Sequence, residues 1–405
     1  MLKVLIVNKF LYPNGGSETY IFEIGKQLQK SGNEVQYFGM EHEGRIVGNH
    51  AESYTSDMDF HGGGIAKLFY PFKIIYSREA RRKIRAVLED FQPDVVHLNN
   101  FNFQLTPSII YEIHKWGEKK GKRIPIVFTA HDYQWVCPNH MLMIPDKKEL
   151  CFSCEGGKFG QCTKNRCIHG SRVKSLLGTL EALLYNRFKT YNMVDAIICP
   201  SRFMAEKLGT NPLLAGKLMV LYNFLDRAQK KTYEKKDYVL YFGRYSEEKG
   251  VRTLLKVCEE LKEIPFLFAG SGPLKEELKK YSNVTDCGFL EGEALEQVIG
   301  EARFVVFPSE WYENCPFSVM EAQQYETPLI ASDIGGVPEL MKDQVTGELF
   351  EPGNATELRE KIWKLWFNKE LCRQYSENCR NIQFDTIEKY CTKLLNLYEN
   401  LRGNE

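Results

Sequence analysis

The chain has 405 residues, 43% of them hydrophobic, and its 53 Lys and Arg balance 53 Asp and Glu. That length supports two ordinary domains, each with its own core, while a net charge of zero supplies no long-range field for nucleic acid or a strongly acidic partner. No apolar run is long enough to span a bilayer, and the start MLKVLIVNKF turns polar too early for a secretory signal; the expected setting is the cytoplasm, where the twelve cysteines serve as thiols or metal ligands rather than as disulfides.

In chain order, short β-branched runs alternate with longer amphipathic segments. Val4–Asn8, Val35–Phe38, Val95–Leu98, Ile126–Ala130, Ala196–Cys199 and Leu218–Tyr222 read as buried parallel strands. A second series follows at Tyr238–Phe242, Phe266–Ala269, Val284–Asp286, Phe304–Phe307 and Pro328–Ala331. Strands alternating with helices predict an α/β protein, and two series predict two doubly wound sheets. The expected division is a first domain at 1–225 with a cysteine-rich insertion at about 137–171, a polar linker at 226–237, and a second domain at 238–383. An amphipathic helix at 384–405 is expected to pack back on the first domain.

Two segments raise a membrane question. Ala66–Leu88 interleaves Phe69, Tyr70, Phe72 and Tyr76 with Lys67, Lys73, Arg78, Arg81, Arg82, Lys83 and Arg85. Such a helix either lies on an anionic membrane surface or covers the sheet in the ordinary way. Leu176–Phe188 carries the same ambiguity. The inner face of the membrane is therefore the alternative location.

Five of the twelve cysteines fall between Cys137 and Cys167. Cys151-x2-Cys154 and Cys162-x4-Cys167 have spacings close to those of a tetrahedral zinc site, with Cys137, His140 and His169 as spare ligands. A structural zinc in a glycine-rich loop stands against free thiols or a labile disulfide.

Several strand-to-helix turns carry phosphate-handling residues. Gly15-Gly16 follows the first strand and lets backbone approach a phosphate closely, without the full dinucleotide fingerprint. Arg244 and Lys249, five apart after a strand, are spaced to clamp a diphosphate from two directions. Gly270-Ser271-Gly272-Pro273 forms a further glycine-rich turn. Glu313 and Glu321 stand eight apart around a helix start at Pro316, so two carboxylates flank a helix N-terminus suited to phosphate. Because ligands of doubly wound sheets bind at the carboxyl ends of the strands, all these loops are expected to face one cleft between the domains.

Taken together, Gly15-Gly16-Ser17-Glu18, His131-Asp132, Gly243-Arg244 with Glu248-Lys249-Gly250, Gly270-Ser271-Gly272-Pro273, Gly288-Phe289-Leu290 and the Glu313/Glu321 pair resemble a retaining glycosyltransferase of family 4. The resemblance covers essentially the whole chain and implies the GT-B fold, two Rossmann-like domains facing an interdomain cleft. It implies that Arg244 and Lys249 hold the diphosphate of a nucleotide-sugar donor (a UDP- or GDP-sugar) and that Gly16 offers its N–H to the distal phosphate. Glu321 would take the ribose, backbone around Leu290 the base, and Glu313 the hydroxyls of the donor sugar. His131 would sit beside the transferred sugar. Glu313 and His131 are thus the catalytic candidates, with no protein nucleophile. The implied acceptor is a glycan or lipid-linked saccharide in surface-polysaccharide assembly. No cofactor is required, since no Asp-x-Asp metal box stands in a suitable context. Pro316 departs from the family, where a glycine is frequent, and removes one backbone donor. The rival readings are a nucleotide-sugar epimerase of the same architecture and a non-catalytic, zinc-stabilised scaffold.

Overall fold

The structure is a computed structural model that describes residues 1–56, 75–225 and 233–403. It divides into two compact units, Met1–Tyr222 with Ile387–Glu405, and Asn223–Thr386.

Among the described residues, the first unit is built on a six-stranded parallel sheet: β1 (Lys3–Val7), β2 (Glu34–Phe38), β3 (Val95–Leu98), β4 (Ile126–Thr129), β5 (Ala196–Cys199) and β6 (Leu218–Val220). The spatial order is β2-β1-β3-β4-β5-β6. The inner strands are continuous apolar runs because helices cover both faces, so neither side of the strand meets water. Helix α1 (Gly16–Lys30) turns Tyr20, Ile21, Ile24 and Leu28 inward at helical spacing.

Helix α2 (Arg78–Phe91) starts on Ser77, whose hydroxyl accepts the N–H of Ala80, and buries Ala80, Ile84, Val87, Leu88 and Phe91. Two of its basic residues are committed to protein: Arg81 pairs with Glu112 of α3 (Ser108–Lys120) at 2.7 Å, and Arg85 with the same buried carboxylate. This part of the basic, aromatic stretch covers the sheet. Its earlier residues, Lys67, Phe69, Tyr70, Phe72 and Lys73, lie outside the described residues, as do 226–232 of the polar linker.

The insertion leads into α4 (Arg172–Arg187). The C-terminal helix, α7, runs Ile387–Gly403 and belongs to the first unit. It buries Ile387, Tyr390, Cys391, Leu394 and Tyr398. A buried chain of polar groups joins α7 to the sheet. Tyr398 Oη lies 2.6 Å from His97 Nδ1, and His97 Nε2 lies 2.7 Å from Thr129 Oγ1. Tyr20 Oη meets both Thr129 Oγ1 at 3.1 Å and Tyr390 Oη at 2.8 Å. Burial pulls His97 down to about 3, so the chain is held by a neutral imidazole.

The second unit carries β7 (Val239–Arg244), α5 (Val251–Glu260), β8 (Phe266–Ser271), β9 (Val284–Gly288), β10 (Phe304–Phe307), α6 (Phe317–Gln324), β11 (Leu329–Ser332) and β12 (Gly347–Phe350). Its strand order is β9-β8-β7-β10-β11-β12, all parallel. This is the doubly wound order 3-2-1-4-5-6, whose direction reverses between β7 and β10. In the first unit the reversal falls between β1 and β3. Each reversal leaves a crevice at the carboxyl ends of two neighbouring strands, where backbone and side chains can surround a ligand.

Candidate functional site

The first-unit crevice is built by residues that follow β1 and β3. Asn8 Nδ2 donates to Glu18 Oε1 at 2.9 Å and to Phe10 O at 2.7 Å, while Asn8 Oδ1 accepts the N–H of Asn100 at 3.0 Å. Ser17 Oγ donates to the same Glu18 oxygen at 2.9 Å and accepts from Asn100 Nδ2 at 2.9 Å. Glu18 is buried, which raises its pKa against the pull of Asn8 and Ser17. This network fixes the loop that ends in Gly15, the N-cap of α1. No side chain caps that helix start, and Gly16 is exposed as its first residue. Uncapped N–H groups at a helix start suit an anion.

His131 follows β4 directly and is half-buried. Asn99 Nδ2 donates to His97 O at 3.3 Å, so Asn99 Oδ1 is left to accept from His131 Nε2 at 3.0 Å. The Tyr20 ring packs edge-on at 5.0 Å. Burial pulls the imidazole down to about 3. That favours the neutral imidazole as a hydrogen-bonding group.

The second-unit crevice holds the charged residues. Lys249 lies in the turn after β7, and Glu313 in the loop after β10. Lys249 Nζ donates to Glu313 Oε1 at 2.6 Å and lies 5.1 Å from the Trp311 ring centroid. The same Oε1 accepts from Ser309 Oγ at 2.7 Å and from Trp311 Nε1 at 2.8 Å. Three donors on one oxygen pin the carboxylate, and among the described residues Oε2 has no partner. The loop backbone is clamped too: Gly336 N–H donates to Glu313 O at 2.8 Å. Gly335 beside it has φ +59°, and a Cβ there would stand 2.2 Å from Glu313 O.

Arg244 ends β7 with its guanidinium exposed and, among the described residues, without a partner; Tyr241 Oη donates to its carbonyl at 2.7 Å. Glu321 sits on α6, which runs from Phe317 with Pro316 at its N-cap. Burial pushes its carboxyl up to about 7, and no described side chain pairs with it. Leu290 lies half-buried beyond β9, where Asp286 Oδ1 accepts from Tyr245 Oη at 3.0 Å and from Gly288 N–H at 2.9 Å.

The second unit thus brings Lys249 and Glu313 into direct contact, with Arg244 at a neighbouring strand end and Glu321 on the following helix. Gly16 and His131 belong to the first unit. Ser309, Trp311 and Gly335 complete the Glu313 pocket and were missed in the sequence. A Trp two residues before an acid and a Gly-Gly pair were visible there, but neither showed what it would touch.

The four cysteines expected to hold zinc lie together. Cys154, Cys162 and Cys167 are buried in a cluster with Ile144, Phe159 and Ala182, and Cys151 packs against it while its Sγ donates to Ser153 Oγ at 3.3 Å. Cys137 Sγ donates to Asn139 Oδ1 at 2.8 Å. The thiols of Cys162 and Cys167 share a hydrogen bond, which raises the first and lowers the second. Among the described residues no three His, Cys, Asp or Glu side chains are grouped to hold a metal ion.

Glu321 sets an expected pH response. A carboxyl held near 7 keeps its proton in the folded state after the unfolded chain has lost it. Its stabilising contribution is therefore complete below the usual glutamate range and is lost as pH rises through about 7. If both ribose hydroxyls donate to this group, one to each oxygen, it must be ionised, so donor affinity should rise between pH 6 and 8 (about a unit either side). Titration calorimetry across that interval checks this; affinity that is flat with pH, or equally steep in Glu321→Gln, would remove Glu321 from the donor site.

Comparison with known proteins follows the same division. The profile of Glycosyltransferase Family 4 matches residues 14–229, and that of Glycosyl transferases group 1 matches residues 223–382. The alpha-D-kanosaminyltransferase of Streptomyces kanamyceticus is 32% identical over 151 residues, 35% of this chain and 39% of that protein. The chain spans 28–60% of the length of three curated relatives that it matches. Among solved structures, the sucrose-phosphate synthase of Thermosynechococcus elongatus superposes with a TM-score of 0.70 at 17% identity, covering 100% of both chains. The Anabaena protein HepE, solved with UDP-glucose, superposes with a TM-score of 0.64 at 17% identity, covering 98% of this chain and 100% of that one. These likenesses show the fold, the two Rossmann-like domains of GT-B proteins. The Family 4 profile covers more than half of the sequence, and the chain belongs to glycosyltransferase family 4.

Proposed function

We infer that the protein transfers a sugar from a nucleotide-sugar donor to a hydroxyl of a glycan or lipid-linked saccharide, with retention of anomeric configuration, in surface-polysaccharide assembly. The observation that carries this reading is Glu313: among the described residues Oε1 has three protein donors and Oε2 has none, with Lys249 in contact and Arg244 at the end of β7. Oε2 is presented to accept sugar hydroxyls, while the two cations meet a diphosphate. The bond from the anomeric carbon to the phosphate oxygen breaks, the acceptor oxygen bonds that carbon from the same face, and the acceptor proton passes to the departing phosphate. Arg244, Lys249 and helix N-termini stabilise the charge that develops on the leaving group. Neutral His131 contributes an uncharged hydrogen bond. The similarly folded HepE was solved with UDP-glucose and the starch synthase IV of Arabidopsis thaliana with ADP, which supports a nucleotide-sugar donor.

A panel of UDP-, GDP- and ADP-sugars tests the reading by thermal stabilisation. One sugar nucleotide should raise the melting midpoint of the wild type, and the shift should vanish in Lys249→Ala. No shift with any donor would overturn the transferase reading.

A further inference from the structure

Helix α4 is built inside out. A surface helix ordinarily hides its apolar stripe and shows its polar one. Here the buried residues are Ser175, Gly178, Thr179, Glu181, Ala182 and Tyr185. Val173 (68% exposed), Leu176 (45%), Leu180 (44%), Leu183 (44%) and, just past the helix, Phe188 (64%) face outward. Spaced three and four apart, the first four form one continuous stripe. Hydrogen bonds hold the helix this way round: Thr179 Oγ1 donates to Phe159 O at 3.0 Å, and Ser175 Oγ accepts the N–H of Ile168 at 2.9 Å. The exposed stripe is thus a fixed feature of the unit. A contiguous apolar face of this kind marks an interaction surface.

Charge says what it meets. Between Lys158 and Lys189 the sequence has seven Lys and Arg and a single acid, Glu181, which is buried. All seven cations are exposed. Lys164, Arg166 and Arg172 line one recess of about 380 Å³ at the start of α4, and Arg187 and Lys189 stand at its end. In a chain of zero net charge this is a strong local excess. An apolar stripe bordered by cations complements an anionic bilayer surface, with Leu side chains at the acyl boundary and cations among lipid phosphates. Among the described residues no helix is long and apolar enough to cross a membrane, so the contact would lie along the surface.

We propose that α4 is a membrane-docking helix, with Leu176, Leu180, Leu183 and Phe188 inserted at the headgroup boundary of an anionic bilayer and Lys164, Arg166 and Arg172 on its phosphates. This does not depend on the transferase reading. Co-sedimentation of the purified full chain with vesicles of phosphatidylglycerol and phosphatidylcholine, against phosphatidylcholine alone, tests it. Binding should require the anionic lipid and weaken at high salt. Leu180→Glu with Leu183→Glu should weaken it at least tenfold without moving the melting midpoint, since both positions are exposed, and Arg166→Glu with Arg172→Glu should do the same. Absence of binding to anionic vesicles would overturn the proposal. So would equal binding by the Leu variants, which would place the contact elsewhere, or a solution dimer that Leu180→Glu dissociates, which would give the stripe to a second copy.

Discussion

Glu313→Gln is expected to lower kcat/KM by roughly 10²–10³ while leaving the fold intact. Gln keeps an oxygen that can accept from Ser309 and Trp311, so the loop stays in place. It removes the charge that Lys249 faces at 2.6 Å, and it turns the unpartnered Oε2 into an amide that can no longer accept two sugar hydroxyls. Each charge-assisted hydrogen bond lost is worth roughly 1.5–3 kcal/mol, and two such losses account for the expected rate. The stability cost should be about 1–3 kcal/mol, because Lys249 loses its counter-charge where the carboxylate is only 8% exposed, while its own 25% exposure lets water replace part of the loss. Arg244→Ala makes a useful contrast. Its side chain has no described partner to lose, so stability should not change, yet donor affinity should fall by roughly 10- to 150-fold if it grips the diphosphate. Turnover assays alongside thermal melts separate these cases. Near wild-type turnover from Glu313→Gln, with the protein folded, would sink the role given to the Oε2 face.

The two sheets could be read from the chain because a parallel strand covered on both faces must be apolar throughout, as in Val4–Val7 and Phe304–Phe307. β12 escaped for the complementary reason. It has an acid in its middle, Glu348, which is buried only because Lys364 Nζ at 2.6 Å and Tyr375 Oη at 2.8 Å meet it from later helices. No local pattern announces partners that arrive from distant sequence. Helix α4 teaches a related point: periodicity shows that a helix has two faces, and the usual assumption then turns the leucines inward. The structure turns Ser175 and Thr179 inward instead, because they find acceptors and donors in the insertion. At the site, Arg244, Lys249, Glu313 and Glu321 stood out by charge and spacing. Ser309 and Trp311 did not, since what they do is choose which Glu313 oxygen is engaged, and that is a matter of angles rather than composition.

The largest stability effect is expected at Gly250, between Lys249 and the start of α5. Its φ is +69°, and an added Cβ would stand 1.7 Å from Pro308 O and 2.6 Å from the carbonyl carbon. The obstacle is backbone, so no side chain can swing aside to relieve it. The left-handed conformation itself costs an alanine about 1–2 kcal/mol, and forcing backbone apart in a packed region typically adds about 1–3 kcal/mol. Gly250→Ala should therefore lower stability by about 2–5 kcal/mol, a fall of roughly 5–15 °C in the melting midpoint for a unit of this size. The strain also falls where it matters for chemistry. Residues 248–250 are stitched to 308–310: Glu310 N–H donates to Glu248 O at 2.9 Å, and Ser309 Oγ lies 3.4 Å from the same carbonyl. These contacts join the turn after β7, which carries Lys249, to the loop after β10, which carries Glu313, across the point where the strand order reverses. Pushing Pro308 away at Gly250 is expected to disturb the 2.6 Å Lys249–Glu313 contact. Protein that survives Gly250→Ala should accordingly bind donor more weakly than wild type, even at temperatures where it is fully folded. An unchanged melting midpoint together with unchanged donor affinity would mean that the two loops are positioned independently, and that glycine at this position is not what holds the charged pair together.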